Sequence, residues 1–215
     1  CAEVLDKNAL ETYPTAIGDY IAVAKNPGGG VGLAWYDRVR GTLVTARKSG
    51  DGWITTVVEG GGDPPGDVGI GATLAITSND EWHLAYVDGY TESLKYARIG
   101  ADGVVANIET VDDGIGLTGA PFPDGKHIVG DDASIYVASN GEVRISYQDA
   151  TVGKLRIAVG AVSGVEHTWT REVIEGKGVG GAFSKLLDTD DGLRVVHWWR
   201  EGGLEPKGDV DIVKP

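Results

Sequence analysis

Ala85-Tyr86-Val87-Asp88 is one copy of a short pattern, an aromatic residue followed two positions later by an aspartate, that organises this 215-residue sequence. The pattern returns at Ala34-Trp35-Tyr36-Asp37 and Ser146-Tyr147-Gln148-Asp149, and His197-Trp198-Trp199-Arg200 continues it with arginine in place of aspartate. Six residues beyond the three aspartates come Leu43, Leu94 and Leu155. Copies recur every 50 to 60 residues, roughly, which indicates a protein built from repeats.

Each repeat unit has the pattern of β-strands. Short apolar stretches alternate with turns rich in Gly, Asn and Asp, and no stretch has the length and spacing of an amphipathic helix. In the second unit the predicted strands are 72–76, 82–87, 93–97 and 107–111. Turn sequences such as Ser78-Asn79-Asp80 and Ser139-Asn140-Gly141 separate first strands from second strands.

Four units of four antiparallel strands predict an all-β fold, a small β-propeller of about four blades. We expect one domain over residues 1–215, with blade-like repeats at about 13–60, 66–113, 125–176 and 179–215. The last unit lacks an outer strand, and residues 2–6 resemble the fourth strands of other units, so we expect them to complete that blade. An incomplete ring or a twisted sandwich is the alternative.

The pattern resembles the sialidase-like, BNR-type repeat propellers of bacterial secreted proteins. The resemblance covers nearly the whole chain and implies the fold, whereas propellers of this kind include hydrolases, lectins and scaffolds. Ser49-Gly50-Asp51-Gly52-Trp53 echoes the Asp-box of sialidases, but its glycine and tryptophan come too early. The arginines and nucleophilic tyrosine of a sialidase cannot be placed on this sequence.

The charge and the N-terminal residue suggest a location. With 19 basic and 32 acidic residues the net charge is −13, which disfavours nucleic acid as a partner. Cys1, the only cysteine, resembles the lipid-modified residue of a bacterial lipoprotein. We therefore expect a lipid anchor in the bacterial cell envelope, at the outer membrane on its periplasmic or surface side. A free thiol on a secreted protein, or a fragment of a longer chain, is the alternative.

Two sets of residues are candidates for binding. Asp37, Asp88 and Asp149 fall in loops that share one face of a propeller, where their carboxylates could hold Ca²⁺; alternatively each caps its own turn. Trp35, Trp198, Trp199 and Arg200 are candidates for contact with a protein partner or a sugar.

Catalysis has little support in the sequence. His83, His127, His167 and His197 show no zinc-binding spacing, and no nucleophile motif is present. We therefore predict no catalytic residues and a non-catalytic binding or scaffold subunit of an envelope assembly, with an envelope protein as partner. The alternative is a carbohydrate-binding, lectin-like or glycoside-hydrolysing propeller.

Overall fold

The computed structural model describes residues 17–63, 65–117, 119, 123–174, 178–201 and 208–215. These residues form four antiparallel sheets of consecutive strands, and we call the sheets blades 1 to 4. Blades 1 and 2 contain β1 (Ile17–Lys25), β2 (Val31–Asp37), β3 (Thr42–Ser49), β4 (Gly52–Gly60), β5 (Val68–Ile76), β6 (Trp82–Asp88), β7 (Ser93–Ile99) and β8 (Val105–Asp112). Blades 3 and 4 contain β9 (Val129–Val137), β10 (Val143–Asp149), β11 (Lys154–Ser163), β12 (Glu166–Val173), β13 (Val179–Thr189), β14 (Gly192–Arg200) and β15 (Gly208–Val213).

The prediction of an all-β propeller of about four blades is confirmed. The described residues contain no helix, and therefore none that is long and apolar enough to cross a membrane. Blades 1 to 3 have four strands each, and blade 4 has three within the described residues. Residues 2–6, the predicted fourth strand of blade 4, lie outside the described part of the chain.

The hydrophobic core lies between blades rather than inside one sheet. The first strand of each blade packs on the first strand of the next, β1 on β5, β5 on β9 and β9 on β13. One apolar cluster joins blades 1 and 2 through residues such as Ala34, Leu43 and Leu84. A second joins blades 2 and 3 through Tyr96, Ile145 and others. Among the described strands no comparable contact joins β13 to β1.

A backbone kink near the start of every first strand makes this close packing possible. Gly18, Gly69, Gly130 and Gly181 all have positive φ, between 89° and 114°. A Cβ on Gly69, for example, would lie 3.0 Å from Leu43 Cα in the neighbouring blade. Only a glycine tolerates both this conformation and this approach. Two residues after each of these glycines lies a second residue with positive φ: Tyr20, Gly71, Asp132 and Phe183 in blades 1 to 4. The register of the pairing with the second strand shifts in this segment.

Strand pairing changes the repeat alignment in blade 4. Leu186, five residues after Gly181, pairs with Val195, just as Leu74, five residues after Gly69, pairs with Leu84. His197 therefore occupies the position of Tyr86, not of Ala85. The residue at the repeated aspartate position is Trp199 rather than Arg200, so the sequence alignment is wrong by one residue there. The sequence alignment placed Trp198 at the position of Tyr86 because both residues are aromatic.

Candidate functional site

The repeated aspartates hold their own turns together. Asp37 accepts hydrogen bonds from the backbone N–H groups of Val39 (3.0 Å) and Arg40 (3.1 Å). Asp88 accepts them from Tyr90 (3.0 Å) and Thr91 (3.2 Å). This is the turn-capping alternative of the sequence analysis, in which the side chain replaces a backbone acceptor.

Asp149 has the same role and one more contact. Its Oδ1 accepts a hydrogen bond from Val152 N, and its Oδ2 lies 2.7 Å from Nδ1 of the buried His127. Within the described ranges, no group of three or more His, Asp or Glu side chains could hold a metal ion. Calcium binding by Asp37, Asp88 and Asp149 stays a prediction.

Two acidic residues between blades contact the next blade. Glu59, at the end of blade 1, accepts a hydrogen bond from the Tyr86 hydroxyl (2.5 Å) and pairs with Lys95 of blade 2. Burial and the adjacent carboxylate raise the pKa of the Tyr86 hydroxyl, so Tyr86 stays protonated and donates. Glu59 therefore links the end of blade 1 to blade 2.

The next interface repeats the arrangement. Asp112, at the end of blade 2, accepts a hydrogen bond of 2.6 Å from the Tyr147 hydroxyl of blade 3. Arg156 and Arg171 approach the same carboxylate at 3.5 and 3.4 Å. Asp112 is only 1% exposed, so its charge depends on these partners.

The predicted contact residues are separated by the fold. Trp35 is buried with Val44 and Ala46 on the face of blade 1 that turns away from blade 2. Trp198 is 37% exposed and shares one face of blade 4 with the exposed Arg200. Trp199, next to both, is half-buried and points to the opposite face of the strand.

A cavity lies at the other end of the blades. It has a volume of about 560 Å³ and opens between blades 2 and 3, between their first-to-second turns and the β11–β12 turn. The loops that carry Asp37, Asp88 and Asp149 connect second to third strands and therefore lie at the opposite end. Polar side chains dominate the lining: Ser78, Asn79, Glu81, Ser139, Asn140 and Glu166.

Two buried polar atoms of residues lining this cavity have no partner. They are His83 Nε2 and Arg98 Nε. His83 is only 4% exposed, and its Nδ1 lies 2.7 Å from the Tyr96 hydroxyl. Burial lowers the pKa of the His83 imidazole to about 4 and raises the pKa of the Tyr96 hydroxyl. At neutral pH the imidazole is therefore neutral, and its Nδ1 shares one hydrogen bond with the neutral Tyr96 hydroxyl.

Aromatic side chains pack against His83 and His167, the two histidines that line the cavity. The Tyr96 ring meets His167 edge to face at a centroid distance of 5.1 Å and Trp169 at 5.5 Å. Glu109 anchors both partners, since it accepts hydrogen bonds from Trp169 Nε1 (2.5 Å) and His167 N (3.2 Å). Arg98 is held by Val165 O at 3.3 Å and lies 4.0 Å from Glu81. These contacts hold the side chains of His83 and Arg98 in place.

Sequence reasoning did not find this cavity. Ser78-Asn79-Asp80 and Ser139-Asn140-Gly141 were interpreted only as turns, and His83 and His167 only as separate strand or loop residues. The usable signal was that two consecutive repeats carry Ser-Asn in the same turn. The two turns line the same cavity only because blades 2 and 3 pack against each other, and the spacing of residues within one repeat does not predict that packing.

Comparison with known proteins supports the fold but no specific family or function. No family model and no curated protein matches the sequence. A protein of unknown function from Dyadobacter fermentans shares the fold with a TM-score of 0.55 and 15% identity, over 88% of this chain and 51% of that one.

Two further structures of similar fold are enzymes. The intramolecular trans-sialidase from Ruminococcus gnavus matches with a TM-score of 0.50 and 12% identity, over 81% of this chain and 38% of that one. An exo-β-1,3-galactanase from Clostridium thermocellum matches with a TM-score of 0.50 and 10% identity, over 89% of this chain and 45% of that one. The chain thus spans about half or less of the length of these structures. The likeness to propellers is confirmed as a likeness of fold.

Proposed function

We propose that this chain is a carbohydrate-binding β-propeller and that the cavity between blades 2 and 3 is its sugar site. The observation that carries the proposal is a pair of buried polar atoms without a hydrogen-bond partner, His83 Nε2 and Arg98 Nε, on two residues that line one polar cavity. An unsatisfied buried polar group costs about 1–3 kcal/mol, and a ligand oxygen would recover that energy.

The rest of the lining matches the chemistry of a sugar. The hydroxyl groups of a sugar donate and accept hydrogen bonds. The cavity offers carboxylate acceptors on Glu81 and Glu166, and the side-chain amides of Asn79 and Asn140 can both donate and accept. Val137, Val162 and Val165 supply apolar surface for the C–H face of a ring. The volume of 560 Å³ falls within the range of small-ligand sites, about 300–1,000 Å³.

We propose binding without hydrolysis. Glycoside hydrolysis needs two carboxyl groups about 5–10 Å apart on either side of the scissile bond. The buried atoms that lack partners in this cavity belong to His83 and Arg98, not to a pair of carboxyl groups. Two of the structures that share the fold are named as carbohydrate-active enzymes, which is compatible with a sugar ligand but does not carry the proposal.

A glycan array tests the proposal. The purified chain should bind a subset of immobilised sugars, and the double variant His83→Gln and Arg98→Gln should lose that signal about ten-fold or more. Arg38→Gln, an exposed substitution at the opposite end of blade 1, is the control and should bind like the unaltered protein. Equal binding by the double variant, or no bound sugar, would refute the assignment.

The location in the bacterial envelope is a separate proposal. Cys1 lies outside the described residues, and the lipid anchor on it, with the scaffold role and envelope partner that follow, rests on the sequence. Intact mass of the native protein measures it directly. A diacyl or triacyl increment on the N-terminal cysteine supports the anchor, and an unmodified thiol contradicts it.

A further inference from the structure

The end of the β11–β12 hairpin adds exposed apolar surface to the cavity between blades 2 and 3. Val162 and Val165, which we call the valine pair, both line the cavity and are 55% and 69% exposed. Val162 pairs with His167 across the hairpin, so these two side chains lie on the same face of the sheet. The His167 ring contacts Tyr96 of blade 2, so this is the face that blade 2 approaches. A ligand in the cavity therefore meets apolar side chains on its blade 3 side.

Blade 2 places a hydrogen-bond donor beside the valine pair. Arg98 Nη2 donates to Val165 O at 3.3 Å, and Asn107 Nδ2 donates to the same oxygen at 3.1 Å. These contacts fix the β11–β12 turn against blade 2 and hold the Arg98 guanidinium next to Val165. The Nε atom of Arg98 is buried and has no hydrogen-bond partner among the described residues. A guanidinium nitrogen only donates, so this atom requires an acceptor such as a carbonyl oxygen.

The charge of the cavity disfavours an acidic sugar. Its lining contains two carboxylates, on Glu81 and Glu166, and one permanent cation, Arg98. His83 adds no charge at neutral pH, because burial lowers the pKa of its imidazole to about 4. The whole chain carries a net charge of −13. A carboxylated sugar would therefore approach against a negative potential.

Among neutral and basic substituents, an acetamido group matches the lining best. The ammonium of an amino sugar only donates, so it would leave Arg98 Nε without an acceptor. A hydroxyl would supply the acceptor but would leave the valine pair uncovered. An acetamido group supplies a carbonyl oxygen as acceptor, a methyl group that covers apolar surface, and an N–H that the carboxylate of Glu166, the residue after Val165, accepts.

We propose that the cavity between blades 2 and 3 selects sugars that carry an acetamido group, with the carbonyl oxygen on Arg98 Nε and the methyl group on Val162 and Val165. This inference rests on the proposed function, since it names the substituent that the same sugar site recognises. It assigns the β11–β12 turn, through its valine pair, as the element that determines specificity.

Matched pairs of sugars measure the preference. Each pair consists of a pyranose with a hydroxyl group at carbon 2 and its analogue with an acetamido group there, in the gluco, galacto and manno configurations. In calorimetric titration of the full chain, the acetamido member of at least one pair should bind about ten-fold more tightly, because it gains a buried methyl group and a hydrogen bond. The analogue with a free amine at carbon 2 should bind no more tightly than the hydroxyl sugar.

A double valine variant locates the methyl group. Val162→Ser combined with Val165→Ser should reduce the preference for the acetamido sugar to about three-fold or less and leave the affinity for the hydroxyl sugar nearly unchanged. Val39→Ser combined with Val57→Ser is the matched control, because it also changes one turn residue and one strand residue, which are 48% and 57% exposed on blade 1. The control should keep the full preference.

The outcomes separate this inference from the sugar site itself. Equal binding of both members of every pair, lost in the double variant His83→Gln and Arg98→Gln, would overturn acetamido selection and leave the sugar site standing. A preference that survives the double valine variant would also overturn it, because the methyl group would then lie elsewhere. Binding of no member of any pair would overturn acetamido selection as well, and the glycan array then decides whether the sugar site stands.

Discussion

The Tyr96 hydroxyl lies 2.7 Å from His83 Nδ1, which leaves Nε2 as the imidazole nitrogen without a hydrogen-bond partner. Burial keeps Tyr96 protonated and His83 neutral; when the hydroxyl donates to Nδ1, the imidazole proton is on Nε2. The proposed sugar site depends on this relationship, since Nε2 is one of its two unpartnered polar atoms.

Buried His83 should make the protein sensitive to mild acid. The unfolded histidine takes up a proton below its ordinary pKa of 6.5, whereas the folded one does so only near pH 4. Between these values the unfolded state binds more protons, so stability falls as the pH falls from 6.5 to 4 and is unaffected above. The shift corresponds to about 3 kcal/mol at most. Urea unfolding across this window should show a smaller loss for His83→Gln, and an identical loss would contradict the assignment.

Tyr96→Phe should weaken sugar binding without removing the aromatic contacts of this ring. The ring contacts with His167 and Trp169 remain, but Nδ1 of His83 loses its hydrogen-bond partner, so the balance between the two imidazole tautomers changes. We expect affinity to fall about ten-fold and the imidazole ¹⁵N signals to change. Tyr96 is a positioning residue, so an affinity loss with unchanged ¹⁵N signals would indicate a purely structural role.

The contact between Tyr147 and Asp112 should stabilise the interface of blades 2 and 3. Tyr147→Phe leaves a buried carboxylate short of one donor, which costs about 1–3 kcal/mol in unfolding free energy. Tyr136→Phe is the matched control, because its hydroxyl donates to Asp188 at an exposed position and should change stability by less than about 0.5 kcal/mol. Equal effects of the two substitutions in thermal unfolding would mean that the buried contact stabilises the protein no more than the exposed one.

The repeated glycines should tolerate no side chain. Gly69→Ala would place Cβ 3.0 Å from Leu43 Cα at a φ of 114°, and we expect a loss of more than about 2 kcal/mol. Gly29→Ala has a nearly equal φ of 110° but nothing within 4 Å, so it separates the conformational cost from the steric one. A similar loss in both variants would show that the close approach to Leu43 is unimportant.

The sequence predicted the strands and the repeat because both follow from local patterns. Alternating apolar residues and Gly, Asn or Asp turns specify hairpins without reference to distant residues. It did not predict that Glu59 and Asp112 bind tyrosines of the following blade, because those contacts form only when blades pack. The cavity was missed for the same reason: His83 and His167 meet through Tyr96 across two blades. In blade 4 the order of residues alone could not reveal a shift of one position in pairing.

The most direct test of the sugar site is imidazole ¹⁵N NMR during titration with a sugar selected on the glycan array. The chain has four histidines, and the spectrum of His83→Gln assigns the signal of His83. We predict that the sugar shifts Nε2 of His83 and leaves the buried His127 and His197 unchanged. Saturable binding that leaves the His83 signal unmoved would contradict the assignment of the cavity between blades 2 and 3.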